Sequence, residues 1–188
     1  MFDIFKLRHI CDFSIQKLMK SKENLVLLGM MGSGKTSIGL IVSNKLKLNF
    51  FDIDKEIEKE FGVKILKIFE TKGESYFRKV EEDITLKILK KNNCVISLGG
   101  GAFLNKKIKN EVLENHLSFW LNWNENTLIN RIRNSKKRPL AFNSKKNELV
   151  EIIKKRSNIY SKARFKVECE KLTKNQIAEK ILKIYETC

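Results

Sequence analysis

The chain has 188 residues, enough for one core of ordinary size and too few for two, so a single domain is expected. No apolar run approaches the roughly 18 residues a membrane-spanning helix needs, and Cys11, Cys94, Cys169 and Cys188 form no C-x-x-C pair, which argues against a disulfide framework or zinc site and for a reducing cytoplasm. The net charge of +16 raises nucleic-acid binding as a function, but 31 of the 38 basic residues are lysines spread along helical stretches, with no RNP motif or zinc-finger spacing, so no nucleic-acid partner is expected.

In chain order, residues 1–23 carry Ile4, Leu7, Cys11 and Leu18 at roughly helical spacing and read as a helical extension. Asp3, Asp12 and the lack of a small-residue cleavage site speak against a signal peptide. Apolar runs at 25–29, 50–53, 94–98, 117–121 and, weakly, 165–168 then alternate with amphipathic stretches at 35–46, 76–90, 124–133 and 149–162. That β-α alternation predicts a parallel sheet covered by helices on both faces, with functional loops at the strand C-termini. Cys94 and Cys169 fall in apolar stretches and are expected to be buried packing. Residues 136–147 are polar, lysine-rich and hold the only proline, the composition of a mobile loop.

Residues 29–36, Gly29-Met30-Met31-Gly32-Ser33-Gly34-Lys35-Thr36, satisfy G-x-x-x-x-G-K-[ST] between a strand and a helix. Glycines there let successive backbone N–H groups and the helix N-terminus face an anion, so the segment predicts a cradle for the phosphates of ATP, with Ser37 at its exit. Lys35 is expected to reach the β- and γ-phosphates, and the Thr36 hydroxyl to ligate Mg²⁺. The base-reading N-K-x-D of a GTPase is absent.

Phe51-Asp52-Ile53-Asp54 closes the second strand. Two residues of separation on a strand place both carboxylates on one face, Asp52 toward the hydration shell of Mg²⁺ and Asp54 toward an acceptor hydroxyl whose proton it takes. The other reading is that one of the two, Asp54 for instance, caps the following helix, a role compatible with the first. Arg78 lies three residues before Glu81, so it is either that residue's surface partner or a fork for a substrate carboxylate. Gly99, Gly100 and Gly101 follow the third strand and allow a ligand to lie against bare backbone. In Arg138-Pro139-Leu140, proline disfavours the α conformation for Arg138 and suits it to swing with its loop over the transferring phosphoryl group. Arg156, Tyr160 and Ala163 follow on a later helix, where Arg156 completes a two-arginine grip on a carboxylate.

These motifs, in this order from Leu25 to Ala163, resemble the shikimate kinase family. The resemblance implies a three-layer α/β/α P-loop fold of the nucleoside-monophosphate-kinase type, with a five-stranded parallel sheet in the order 2-3-1-4-5. It implies one kinase domain over 24–188, with a substrate-binding segment at about 54–82 and a lid at about 135–147. The implied reaction is ATP-dependent phosphorylation of the shikimate 3-hydroxyl in chorismate and aromatic amino-acid biosynthesis. Asp54, Arg78, Gly100 and Arg156, with the neighbouring Gly99 and Gly101, would hold shikimate; Arg138 would be the lid arginine and Arg131 would lie against adenine. A cytoplasmic monomer with ATP and shikimate as partners and no membrane association is the expectation. The extension over 1–23 and the segment 171–175, which offers no clear second adenine contact, depart from the family pattern.

Overall fold

The structure, a computed structural model, describes residues 23–134 and 146–188. Arg138, most of the expected lid, and all but the last residue of the expected N-terminal extension lie outside the described residues. Five parallel strands, β1 (Leu25–Leu28), β2 (Asn49–Asp52), β3 (Cys94–Ser97), β4 (Leu117–Asn122) and β5 (Phe165–Glu168), form one sheet in the order β2-β3-β1-β4-β5. Helices α1 (Lys35–Leu46), α2 (Ile53–Phe61), α3 (Ile65–Leu89), α4 (Lys106–Asn115), α5 (Glu125–Arg133), α6 (Lys146–Tyr160) and α7 (Lys174–Thr187) surround it, giving the expected three-layer α/β/α architecture. Among the described residues, no helix is long and apolar enough to cross a membrane.

The central strand β1 is apolar at every position and buried along its whole length, as a parallel strand covered on both faces must be. It pairs with β3 on one side and β4 on the other, so the chain reverses direction of winding at its C-terminal end. Such a switch point leaves a crevice between the loops that follow the strands. The loops after β1, β3 and β4 all open there.

The structure corrects the sequence-derived reading in three places. β2 ends at Asp52, so Asp54 is not on a strand but in the first turn of α2. The cap of that helix is Asp52, whose Oδ1 accepts from the Lys55 N–H at 3.3 Å, rather than Asp54. α3 begins at Ile65 rather than near Tyr76 and bends at Gly73, where φ is 78°. Helix α4 is capped by Asn105, whose side chain accepts from the Lys107 and Ile108 N–H groups. Helix α7 opens on a reciprocal Thr173–Gln176 capping box.

Cys94 and Cys169 are buried, as expected. At the opposite end of the sheet from the crevice, Asn24 ties three elements together. Its side-chain amide donates to the Leu89 and Lys91 carbonyls and accepts from the Cys94 N–H, while its own N–H donates to His116 Nδ1 at 3.2 Å. His116 is buried, and its Nε2 lies 3.7 Å from Glu111 Oε1, beyond good hydrogen-bond length. Burial pushes the imidazole pKa below 6.5, with Glu111 and Glu23 opposing that shift. A proton on Nδ1 would set donor against donor. Because the native state binds this proton less readily than the unfolded chain, the contribution is present above about pH 6.5 and lost as pH falls toward the lower native value. Urea unfolding of wild type and His116→Asn, whose amide oxygen can still accept from Asn24, should therefore show a shallower acid loss in the variant between pH 7 and 5. Parallel curves would remove His116 as the cause.

Candidate active site

The segment 29–36 leaves β1 and opens α1 with Gly29, Gly32 and Gly34 at φ 141°, 79° and 90°. Those values lie where side chains are disfavoured, so the glycines are required for this path. Ser33 N–H donates to the Met30 carbonyl at 3.1 Å, closing the turn. Lys35 is buried, and its ammonium donates to the Gly29 and Met30 carbonyls at 2.8 and 3.0 Å, so it stands at the mouth of the loop. The Ser33 hydroxyl is buried without a hydrogen-bond partner. A glycine-lined cradle, a buried ammonium and an unsatisfied hydroxyl together fit the phosphates of a nucleotide.

Thr36, in the first turn of α1, donates its hydroxyl to Asp52 Oδ2 at 2.5 Å, and Ser37 follows it half-buried. Asp52 itself is buried at the C-terminal end of β2, opposite Ser97 of β3. A hydroxyl and a carboxylate side by side beside the phosphate loop are hard oxygen donors of the kind Mg²⁺ takes. The two predicted metal residues are thus brought together although 16 positions separate them.

On the other side of the crevice, the three glycines after β3 are packed against charged groups. A Cβ on Gly99 would collide with Glu81 Oε1 and stand 2.8 Å from Asp54 Oδ1. One on Gly101 would lie 2.6 Å from Arg78 Nη1 and 3.0 Å from its Cζ and Nη2. One on Gly100 would lie 3.2 Å from the Met31 nitrogen of the phosphate loop. The turn is therefore where the two halves of the site touch. The Gly100 carbonyl accepts from Tyr160 Oη at 2.5 Å and from Arg156 Nη1 at 3.3 Å, so α6 is fastened to the same turn. Tyr160 is buried, and burial pushes its phenol up to about 12, leaving it a neutral donor.

Arg78 makes a 2.6 Å ion pair with Glu81 and a 3.0 Å one with the exposed Glu74. This pairing is not the surface contact its i,i+3 spacing suggests, since the Glu81 side chain is 3% exposed. Both pKa values move up, which disfavours the charge on Glu81 and reinforces that on Arg78. Burial pushes the Glu81 carboxyl above the usual carboxylate range, and Arg78 only partly offsets it, while Asp54 adds to the rise and Arg156 opposes it. For Arg78, partial burial works against the charge but Glu81 and Glu74 outweigh it, so protonation is reinforced. The carboxylate carries the greater desolvation because it is enclosed while the guanidinium, 37% exposed, still reaches solvent.

Glu81 and Tyr160 were not singled out as site residues from the sequence. A signal for Glu81 exists there: it shares a helical stripe with Phe77, Ile84 and Ile88, all buried, and a lone carboxylate on an apolar face needs a partner. On the nucleotide side, Arg131 of α5 places its guanidinium carbon 3.6 Å over the Trp123 ring, with Nη1 3.5 Å from the Gly32 carbonyl. Trp123 was also missed, because a single tryptophan after a strand carries no periodic signal.

The shikimate kinase family model matches residues 31–186. The shikimate kinase of Thermodesulfovibrio yellowstonii is 39% identical over 165 residues, covering 87% of this chain and 95% of that protein. That of Bacillus subtilis is 40% identical over 169 residues, covering 86% and 88%. Among solved structures, shikimate kinase from Acinetobacter baumannii in complex with shikimate superposes with a TM-score of 0.82 at 28% identity, over 88% of this chain and 93% of that one. The Aquifex aeolicus shikimate kinase gives 0.79 at 35% identity, over 87% and 96%. A gluconokinase from Sinorhizobium meliloti, at 15% identity and a TM-score of 0.58, shares the fold alone. With the phosphate loop, the glycine turn and its paired charges in place, and with matches of this extent, the chain belongs to the shikimate kinase family.

Proposed function

We infer that this enzyme transfers the γ-phosphate of ATP to the 3-hydroxyl of shikimate, giving ADP and shikimate 3-phosphate for chorismate and aromatic amino-acid biosynthesis. The observation that carries this reading is the convergence of Asp54, Arg78 and Arg156 on the Gly99, Gly100 and Gly101 turn, which itself abuts the phosphate loop at Met31. Shikimate presents one carboxylate and three hydroxyls. Arg78 and Arg156 supply planar donors for the carboxylate. Asp54 orients the 3-hydroxyl and accepts its proton as the oxygen bonds to the γ-phosphorus and the bond to the β,γ-bridging oxygen breaks, the electron pair leaving with ADP. A loose transition state asks mainly for positioning, so a weak base suffices.

Lys35 and the N–H groups of residues 32–36, Gly32, Ser33, Gly34 and Thr36 among them, hold the phosphates, with Ser37 next along α1. Thr36 and Asp52 would hold Mg²⁺, whose chemistry when bound is to neutralise phosphate charge. Arg131 lies against adenine and Arg138 closes with the lid over the γ-phosphate. The same reading makes the protein a cytoplasmic monomer acting on two small molecules without nucleic acid.

The two outer arginines separate by kinetics. Arg138→Ala should lower kcat roughly 100- to 1000-fold with little change in shikimate binding, as loss of a group aimed at transition-state charge does. Arg156→Ala should instead raise the shikimate KM, by about 10- to 100-fold for a charge-assisted pair. Equal losses in kcat and binding for Arg138→Ala, or an unchanged KM for Arg156→Ala, would reverse the assignments.

ADP release from Mg-ATP tests the function directly, with shikimate, quinate, gluconate and no acceptor run in parallel. Turnover with shikimate alone supports the reading. Turnover with gluconate would move the enzyme to another small-acid kinase class, and ATP binding without any turnover would make it a binding module.

A further inference from the structure

Trp123 stands between two parts of the nucleotide site that are far apart in the chain. The residue is 8% exposed, in the short connection from β4 to α5. On one side its Nε1–H donates to the Ser33 carbonyl at 2.9 Å in a buried bond spanning 90 positions. On the other, the Arg131 guanidinium lies over its ring at 3.6 Å. α5 also packs directly on the loop, since a Cβ on Gly32 would lie 3.5 Å from Arg131 Cβ and 3.6 Å from Ile132 Cγ1.

We propose that Trp123 is a positioning residue for ATP, which sets the phosphate loop with its N–H and the base-side arginine with its ring. The peptide joining Ser33 to Gly34 is planar and trans, so its carbonyl and its N–H point in opposite directions. Fastening the Ser33 carbonyl to Trp123 therefore fixes the Gly34 N–H on the far side of that peptide, away from the indole and available to a phosphate. The ring acts separately. A guanidinium is a flat cation with two faces, and an indole beneath one face holds the plane and leaves the other for a purine. One aromatic residue thus registers triphosphate and base against each other. This inference rests on the reading of Arg131 as the adenine contact.

Two substitutions divide the roles. Trp123→Phe keeps an aromatic face and loses the N–H; Trp123→Leu loses both. With shikimate saturating, the KM for ATP should rise about 3- to 10-fold in the first and further in the second, the range expected for one hydrogen bond and one cation–π contact. The KM for shikimate should stay within about twofold in both. A purely structural role would lower the melting temperature without this split, so an unchanged ATP KM in Trp123→Phe, or equal rises in both KM values, overturns the proposal. Should Trp123→Leu fail to fold, the unaltered ring still gives an answer. The chain has two tryptophans, Trp120 and Trp123, so Trp120→Phe leaves Trp123 as the sole indole. Its emission should change on adding ATP alone and not on adding shikimate alone; no response to ATP counts against the proposal. Arg131→Ala is run beside these variants. If it leaves the ATP KM unchanged while Trp123→Phe raises it, the adenine reading of Arg131 fails and the loop-setting role stands.

Discussion

Asp54→Asn should lower kcat by about 100- to 10,000-fold while leaving the ATP KM within a few-fold of wild type, the loss expected when a positioned base is removed. The substitution preserves shape and removes only the negative charge and the proton acceptor. Asp54 stands in the first turn of α2, where the helix N-terminus favours negative charge, and within contact range of the Gly99 backbone. Losing that charge also removes a small favourable term at the helix N-terminus, so the chemical step must be read separately from stability. Stopped-flow single turnover with shikimate and Mg-ATP separates the two, because a chemical defect slows phosphoryl transfer itself. A kcat within about tenfold of wild type would mean that positioning alone supports catalysis and that the hydroxyl proton leaves to solvent. Loss of Asp54 also removes the charge that adds to the rise of the Glu81 pKa, which favours the Glu81 to Arg78 pair and opposes the loss at the helix N-terminus.

Gly99→Ala should be nearly as damaging, for a steric reason. The added methyl would collide with Glu81 Oε1 and approach Asp54 Oδ1 at 2.8 Å. Glu81 cannot simply swing aside, being enclosed and paired with Arg78 at 2.6 Å. Gly99 is not among the glycines at positive φ, so alanine meets no backbone strain there and the whole effect comes from space. Displacing Asp54 and the Arg78 pair by even an ångström should reduce kcat/KM for shikimate by about 100-fold, since misplacement of that size costs such factors. Overpacking should add a stability loss of about 1 to 3 kcal/mol. The ATP KM should change little, because the atoms nearest an added Gly99 Cβ belong to Glu81 and Asp54, whereas those nearest a Gly100 Cβ belong to Met31 of the phosphate loop. Kinetics with each substrate varied in turn, together with a thermal melt, checks this. A full shikimate kcat/KM in a folded Gly99→Ala protein would mean that Asp54 and Glu81 are not held where this geometry puts them.

The nucleotide half of the site was legible in the sequence and the acceptor half only in outline. Residues 29–36 are contiguous, and the cradle they form follows from glycine conformations and from one strand running into one helix. Strands β1, β3 and β4 were legible for a similar reason: a strand buried on both faces is a run of apolar residues. Asp52 and Asp54 were read as neighbours of the phosphates from a strand geometry that does not hold. The helix begins at Ile53, and the Asp52 side chain caps it, which turns the two carboxylates onto different elements.

What the sequence by itself determined is the phosphate loop, the α/β alternation and the residue types available for a carboxylate-bearing acceptor. What only the tertiary structure decided is who meets whom. Arg156 and Tyr160 reach the Gly100 carbonyl across 56 and 60 positions, and Trp123 reaches Ser33 across 90. Periodicity reports the face a residue shares with its near neighbours along the chain. It carries no information on the partner that packing brings to that face, so the enclosure of Glu81 and the Trp123 link emerge only once the sheet order places these loops around one crevice.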